Sequence, residues 1–341
     1  MRHRVSAVVL SVVVAVLLVT PTWARAQEQF KLRWGHYLAQ GPFLEVEQDF
    51  AKKIQERTGG RVRIDITFAE GLGKGPELLT LAGRGAIDMA TSAPGYYADK
   101  LLFWKAFQIP FVFDSPHEAM KVLAASVEEF PIYREEMDRL NIHWLFQQPL
   151  GVYYLTGPSP DCDTVEKLKG KKIRSFGADI PKAQSAIGAV PVTVFPVEVY
   201  EALQRGTIDY SFLNPGNIQQ YRLYEVGKYS CGPTMAITGH NIAIGKRTWG
   251  KLPKDIQGIF EDQAKKTQRE YLAWLDGFET KAMRNIEAAG GVFKQFPAKE
   301  LAKWKAAAPD FLEAWVKEME GKGYGDTARR VAKRWRELTA D

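Results

Sequence analysis

Residues 77–95 read "ELLTLAGRGAIDMATSAPG", and residues 198–216 read "EVYEALQRGTIDYSFLNPG". Laid over each other without a gap, 198 on 77, they share Glu, Arg-Gly, Ile-Asp and Pro-Gly, seven identities in nineteen positions. Each copy has the same physical logic. Glu77 or Glu198 stands near a helix start, where the macrodipole favours an acid. Arg84 or Arg205 closes a short helix, and Gly85 or Gly206 supplies its left-handed cap. Ile87-Asp88 or Ile208-Asp209 then opens a strand that stops at Pro-Gly. A strand also precedes each helix: "RVRIDITF" (61–68) in the first copy and "KKIRSF" (171–176) in the second. Strand, crossover helix and strand make a unit that builds parallel sheet. Two such units predict two similar α/β lobes.

In open α/β sheets, ligands bind beyond the carboxyl ends of the strands. Arg174, Ser175 and Phe176, with Tyr210 to Asn214, occupy that end of the second lobe. Ala93 to Tyr97 occupy it in the first. Facing lobes would bring both ends to one cleft. Alone, the arginine of "KGKKIRSFG" (169–177) reads as a solvent-facing strand residue; the repeat moves it to a strand end at that cleft.

Outward from the repeat, residues 43–57 form an amphipathic helix closed by Gly59-Gly60. Residues 117–130 and 133–140 read as helices and 143–157 as extended chain. Residues 254–289 read as one helix of about 54 Å, long enough to touch both lobes. Shorter helices follow around 298–306, 310–320 and 326–338. The expected division is lobe I over 27–150 plus about 240–279, and lobe II over 151–239 plus about 280–341.

The first 26 residues have basic Arg2 and Arg4, an apolar run from Val8 to Val19 and an Ala24-Arg25-Ala26 cleavage pattern. They are expected to be a secretory signal peptide, which implies a periplasmic protein. Their removal leaves 43 basic against 40 acidic residues, a net of +3 instead of +6. These charges are interspersed, so the concentrated basic face that nucleic-acid binding needs is not expected. The remaining length favours two lobes over a single core. Cys162 and Cys231 are the two cysteines. In an exported protein they can form one disulfide, and the sequence leaves open whether they meet.

No GxSxG, HExxH, CxxC or GxxxxGK[ST] pattern occurs. The five histidines are dispersed, and neither a metal site nor a cofactor is expected. The chain has a cleft without a visible catalyst, so a non-enzymatic binding role is favoured over a secreted enzyme.

"LRWGHYLAQGPFLEVEQDFAKKIQERTGGRVRIDITFAEGLG", "IDMATSAP", "IPFVF", "LKGKKIR" and "GAVPVTVFPVEVYEALQRGTIDY" together resemble a DctP-type periplasmic solute-binding protein of a tripartite ATP-independent periplasmic (TRAP) transporter. The similarity runs in order over nearly the whole chain beyond residue 26. It implies two α/β lobes that close by hinge motion on a small organic acid and deliver it, as a monomer, to membrane permease subunits. It also implies that the arginine of a K-[IVL]-R motif, here Arg174, meets the ligand's carboxylate. Guanidinium suits that role, being always charged and matching two oxygens with a planar fork.

Family members that bind sialic acid carry a second arginine on the extended segment, where this chain has "GVYYLTGPS" (151–159). That departure points to an aromatic or apolar monocarboxylate. Neutral donors, Tyr153, Tyr154, Asn214 or His36, are then expected to assist Arg174. Tyr37, Tyr96, Phe176, Tyr210 and Phe212 are the aromatic candidates for the site. Alternation along 210–214 puts Tyr210, Phe212 and Asn214 on one face.

Overall fold

A computed structural model describes residues 28–340 of the 341. The expected signal peptide lies outside the described residues. The first lobe opens with β1 (Phe30–Gly35), α1 (Glu45–Arg57), β2 (Val62–Thr67), α2 (Leu78–Arg84) and β3 (Met89–Ser92). The three strands are parallel with β1 between β2 and β3. Leu32 and Trp34 of β1 face Phe50 and Ile54 of α1 in one buried cluster, as the two periodicities require. Gly85 caps α2 at φ 75 and returns its N–H to the Ala82 and Leu81 carbonyls. Helices α3 (Pro116–Glu129) and α4 (Ile132–Arg139) follow, then β4 (Ile142–Val152).

The second lobe contains β5 (Tyr154–Gly157), α5 (Val165–Leu168), β6 (Lys172–Ser175), α6 (Ile180–Ala186), β7 (Val190–Thr193), α7 (Val199–Gln204), β8 (Ser211–Leu213), α8 (Pro215–Gln220) and β9 (Tyr229–Gly232). Strand β6 pairs in parallel with β7 and bridges β8 through Ile173 and Tyr210. The repeat is therefore deeper than nineteen residues: in each lobe the first strand of the unit is central. Its strand pairing differs from expectation. "KKIRSF" corresponds to β1, while the counterpart of β2 is β7, "VPVT". That strand carries Pro191, and Val190 is exposed, which leaves it little of a strand's sequence signature.

The chain returns through β10 (Ala236–Gly245), which runs antiparallel between β3 and β4. The two crossings between lobes are hydrogen-bonded together: Tyr153 N donates to Met235 O at 3.0 Å, and Thr234 N donates to Tyr153 O at 3.0 Å. After α9 (Lys246–Trp249), the 35-residue α10 (Lys254–Ala288) runs along both lobes. Ile256 and Phe260 enter the first lobe's core, and Ile286 enters the second's.

The last elements are β11 (Val292–Gln295), α11 (Ala298–Ala307), α12 (Phe311–Gly321) and α13 (Gly325–Thr339). Strand β11 pairs with β9, and Trp304 of α11 donates to Ala183 O at 2.7 Å. The tail then departs from the expected assignment of 280–341 to lobe II, because α12 and α13 pack on the first lobe. Their tryptophans find buried indole acceptors there. Trp315 donates to Leu102 O at 2.9 Å, and Trp335 donates to Ser126 Oγ at 2.7 Å. A disulfide joins Cys162 to Cys231, tying the loop after β5 to β9.

Candidate functional site

Strand β6 delivers Arg174 to the carboxyl end of the second sheet. Its backbone N donates to Tyr210 O at 2.9 Å, and its O accepts from Gln184 Nε2 at 3.0 Å. The side chain is only 2% exposed. Nε donates to Val194 O and Nη1 to Phe212 O, each at 3.0 Å, and the guanidinium lies 4.7 Å from the Phe176 ring centre. Among the described residues, no carboxylate pairs with it. Two carbonyls and a ring aim the fork but do not neutralise its charge. An ion so enclosed carries a penalty of several kcal/mol unless an anion joins it.

Arg174 faces a small, tightly closed cavity between the lobes. The first lobe contributes Tyr37, Leu38, Ala93, Tyr96, Gln108 and Leu150; the second contributes Phe176, Pro196, Leu213 and Asn217; Tyr153 enters from the crossing. Burial pushes the Tyr37, Tyr96, Tyr153 and Tyr221 hydroxyls upward in pKa, and Arg174 pulls each partly back. All four stay neutral, so each keeps a hydrogen to donate. The lobes are closed on one another. Tyr96 meets Phe176 and Phe195 edge-on at 6.4 and 5.6 Å. Gln220 Nε2 donates to Ala39 O at 2.7 Å, and Ala39 N donates to Tyr221 Oη at 3.0 Å.

Of the residues anticipated from sequence, Arg174, Phe176, Tyr37, Tyr96 and Tyr153 meet on this wall. Phe212 supports Arg174 through its carbonyl and packs on Tyr153 at 4.9 Å. Tyr154 points to the opposite side, against Phe293, because neighbours in a strand alternate. The Tyr210 hydroxyl donates to Asp161 O at 2.9 Å, beside the disulfide loop. Asn214 sits one step behind the wall: Nδ2 donates to Glu279 Oε1 at 2.6 Å, and Oδ1 accepts from Asn217 Nδ2 at 2.5 Å. Sequence reasoning missed Gln108, Leu150 and Asn217. Asn217 follows Asn214 at a helical spacing of three, but that spacing alone does not mark a ligand contact.

His36 stacks on Tyr37 at 5.5 Å but belongs to a buried cluster with Glu47 and His240. Their donor atoms lie within 4.8 Å of one another, the layout of a metal centre. One bond argues otherwise. Leu38 N–H donates to His36 Nδ1 at 3.0 Å, so the ring hydrogen is on Nε2, which faces Glu47 Oε1 at 3.6 Å. A ligating imidazole instead donates through its other nitrogen. His240 Nε2 approaches Glu47 Oε1 at 3.0 Å. Burial alone would raise Glu47, but its bonds with His240 and His36 prevail and hold it at about 2. The cluster is a buried polar brace beneath Tyr37, whose hydroxyl lies 3.2 Å from His240 Nδ1.

The model of the bacterial extracellular solute-binding proteins, family 7 (DctP), matches residues 39–318. The uncharacterized protein y4mM of Sinorhizobium fredii is 30% identical over 293 residues; the match covers 83% of this chain but 52% of that protein, so this chain spans about half its length. Two solved structures share the fold. One is DctP7, a Bordetella pertussis extracytoplasmic solute receptor binding pyroglutamic acid: TM-score 0.82, 18% identity, 90% of this chain and 99% of that one. The other is a TRAP solute-binding protein from Rhodoferax ferrireducens with copurified benzoate: TM-score 0.81, 21% identity, 92% and 98%. Two α/β lobes closed on one another, on a chain matched from 39 to 318, identify it: the protein belongs to family 7 of the bacterial extracellular solute-binding proteins, the DctP-type receptors of TRAP transporters.

Proposed function

We propose that this protein is a periplasmic receptor that captures a small aromatic or otherwise apolar monocarboxylate and hands it to the membrane permease subunits of a TRAP transporter. Residues 1–26 serve as its export signal, and it acts as a monomer. No helix among the described residues is long and apolar enough to cross a membrane. Family and fold are those of binding proteins rather than enzymes.

The observation that carries the reading is Arg174, an enclosed cation without an acid partner among the described residues, facing the inter-lobe cavity. A carboxylate entering there replaces water with a two-pronged charge-assisted contact. Ligand favours closure because only the closed form brings Tyr37 and Tyr96 from one lobe against Arg174 of the other. The restriction to one acid group rests on charge. Arg174 is the one Lys or Arg among the residues that line this cavity, and nearby Lys105 is already held by Glu318 at 2.7 and 2.8 Å. A second carboxylate would lie buried and unpaired. Leu38, Ala93, Leu150, Pro196 and Leu213 supply the apolar remainder. The two solved relatives hold different acids, so the fold alone does not choose among them.

The test is a thermal-shift panel of aromatic and aliphatic monocarboxylates, dicarboxylates and sugar acids, since a ligand of the native state raises its stability by mass action. Calorimetry follows on the best binder. Arg174→Ala should weaken it by about 30-fold or more, the usual result of breaking a buried charge pair. Unchanged affinity removes Arg174 from the site, and a response confined to dicarboxylates or sugar acids refutes the monocarboxylate reading.

A further inference from the structure

Besides its hydroxyls, the cavity wall carries an amide whose direction is fixed by a chain of hydrogen bonds. The backbone N–H of Gly216 donates to Glu279 Oε1 at 3.0 Å. A backbone amide cannot be turned around, so this oxygen is the accepting one and any proton on the carboxyl sits on Oε2. Asn214 must then present Nδ2 to Oε1, which it does at 2.6 Å. That orientation leaves Asn214 Oδ1 to accept Nδ2 of Asn217 at 2.5 Å. Asn217, a buried residue of the cavity wall, is therefore held with Nδ2 turned to Asn214, and its Oδ1 has no partner among the described residues. The other amide of the wall, Gln108, is engaged at both ends: Oε1 accepts from Gly95 N at 2.6 Å, and Nε2 donates to Gly239 O at 3.1 Å.

An orphaned buried acceptor is destabilising, whereas the same atom meeting a ligand's donor is satisfied. We propose that the ligand carries, besides the carboxylate held by Arg174, one hydrogen-bond donor, a hydroxyl or an N–H, that meets Asn217 Oδ1. Asn217 is the specificity residue. Asn214 and Glu279 are positioning residues that keep its amide the right way round. This rests on the carboxylate reading above and narrows it to acids of mainly apolar body with one donor group.

Matched pairs test it without relying on a variant. Each hydroxybenzoate isomer is compared with the corresponding methylbenzoate, and pyroglutamate with cyclopentanecarboxylate, by thermal shift and calorimetry on the intact protein. In at least one pair the donor-bearing acid should bind about 10-fold or more tightly than its apolar partner. Asn217→Leu should abolish that preference while still binding the apolar member. Equal or weaker binding of the donor-bearing acid in every pair overturns the inference and leaves the carboxylate reading standing. A preference that survives Asn217→Leu removes Asn217 from the role. If no carboxylate of the panel binds, the parent reading fails and this one falls with it.

Discussion

At Arg174 the fold encloses a cation whose acceptors are two backbone carbonyls, Val194 O and Phe212 O. Removing such a charge relieves desolvation in the empty protein, since buried ions are often replaced by apolar groups at no loss of stability. Arg174→Met should therefore keep or raise the melting temperature of ligand-free protein while losing affinity. A large drop in melting temperature would make Arg174 a structural residue instead. The sequence made Arg174 legible because a motif and a strand end converged on it. Asn217 carried no such mark. Its importance lies in the direction of an amide, set by Gly216 and Glu279 through Asn214, and no spacing rule expresses that. Tyr153 and Tyr154 were indistinguishable for a related reason: which of two adjacent tyrosines faces the cavity depends on where β4 ends and β5 begins.

Helix α10 carries its own titration. Glu279 is partly exposed as a residue, but its carboxyl is enclosed by Gly151, Asn214 and Gly216. Burial raises it from 4.5 to about 8, against the bonds from Asn214 and Gly216. Between those values the fold retains a proton that the unfolded chain has lost, so this group's contribution falls as pH rises through the window and is gone above about 8. Glu279→Gln keeps the accepting oxygen and removes the proton. Urea denaturation at pH 5 and pH 8 should show the variant gaining on wild type at the higher pH. Parallel pH profiles would refute the shift. Among the elements, periodicity located α1, α3, α10 and the tail helices to within a residue or two, since each has a broad apolar face. It missed β7, where a proline and an exposed edge leave nothing to alternate. Tertiary anchoring of α12 and α13 lay beyond it as well, because an amphipathic helix does not say which lobe its tryptophans will find.

At the scale of the molecule, closure brings backbone to backbone. Gly95 of the first lobe faces Gly177 of the second, and a Cβ added at Gly95 would collide with Gln108 Oε1 and stand 3.6 Å from Gly177 Cα. Gly95→Val should hinder closure: small-angle scattering on adding the best acid from the panel should show the compaction of wild type and little in the variant. Equal compaction would mean that the lobes close elsewhere. The two-lobe plan itself was visible in one duplicated nineteen-residue segment, because each copy already holds a helix cap and a strand start.

The tail's return to the first lobe has a further consequence. The chain changes lobes at Tyr153, at 233–235, along α10, and again between α11 and α12. The first and last described elements, β1 and α13, thus belong to the same lobe, and in the proposed hinge closure the second lobe would move as an internal insert. A pair of dyes attached to β1 and α13 would keep one separation throughout the cycle and give no signal. A usable optical reporter of ligand capture needs one of its labels on the insert, for example on the exposed edge strand β7.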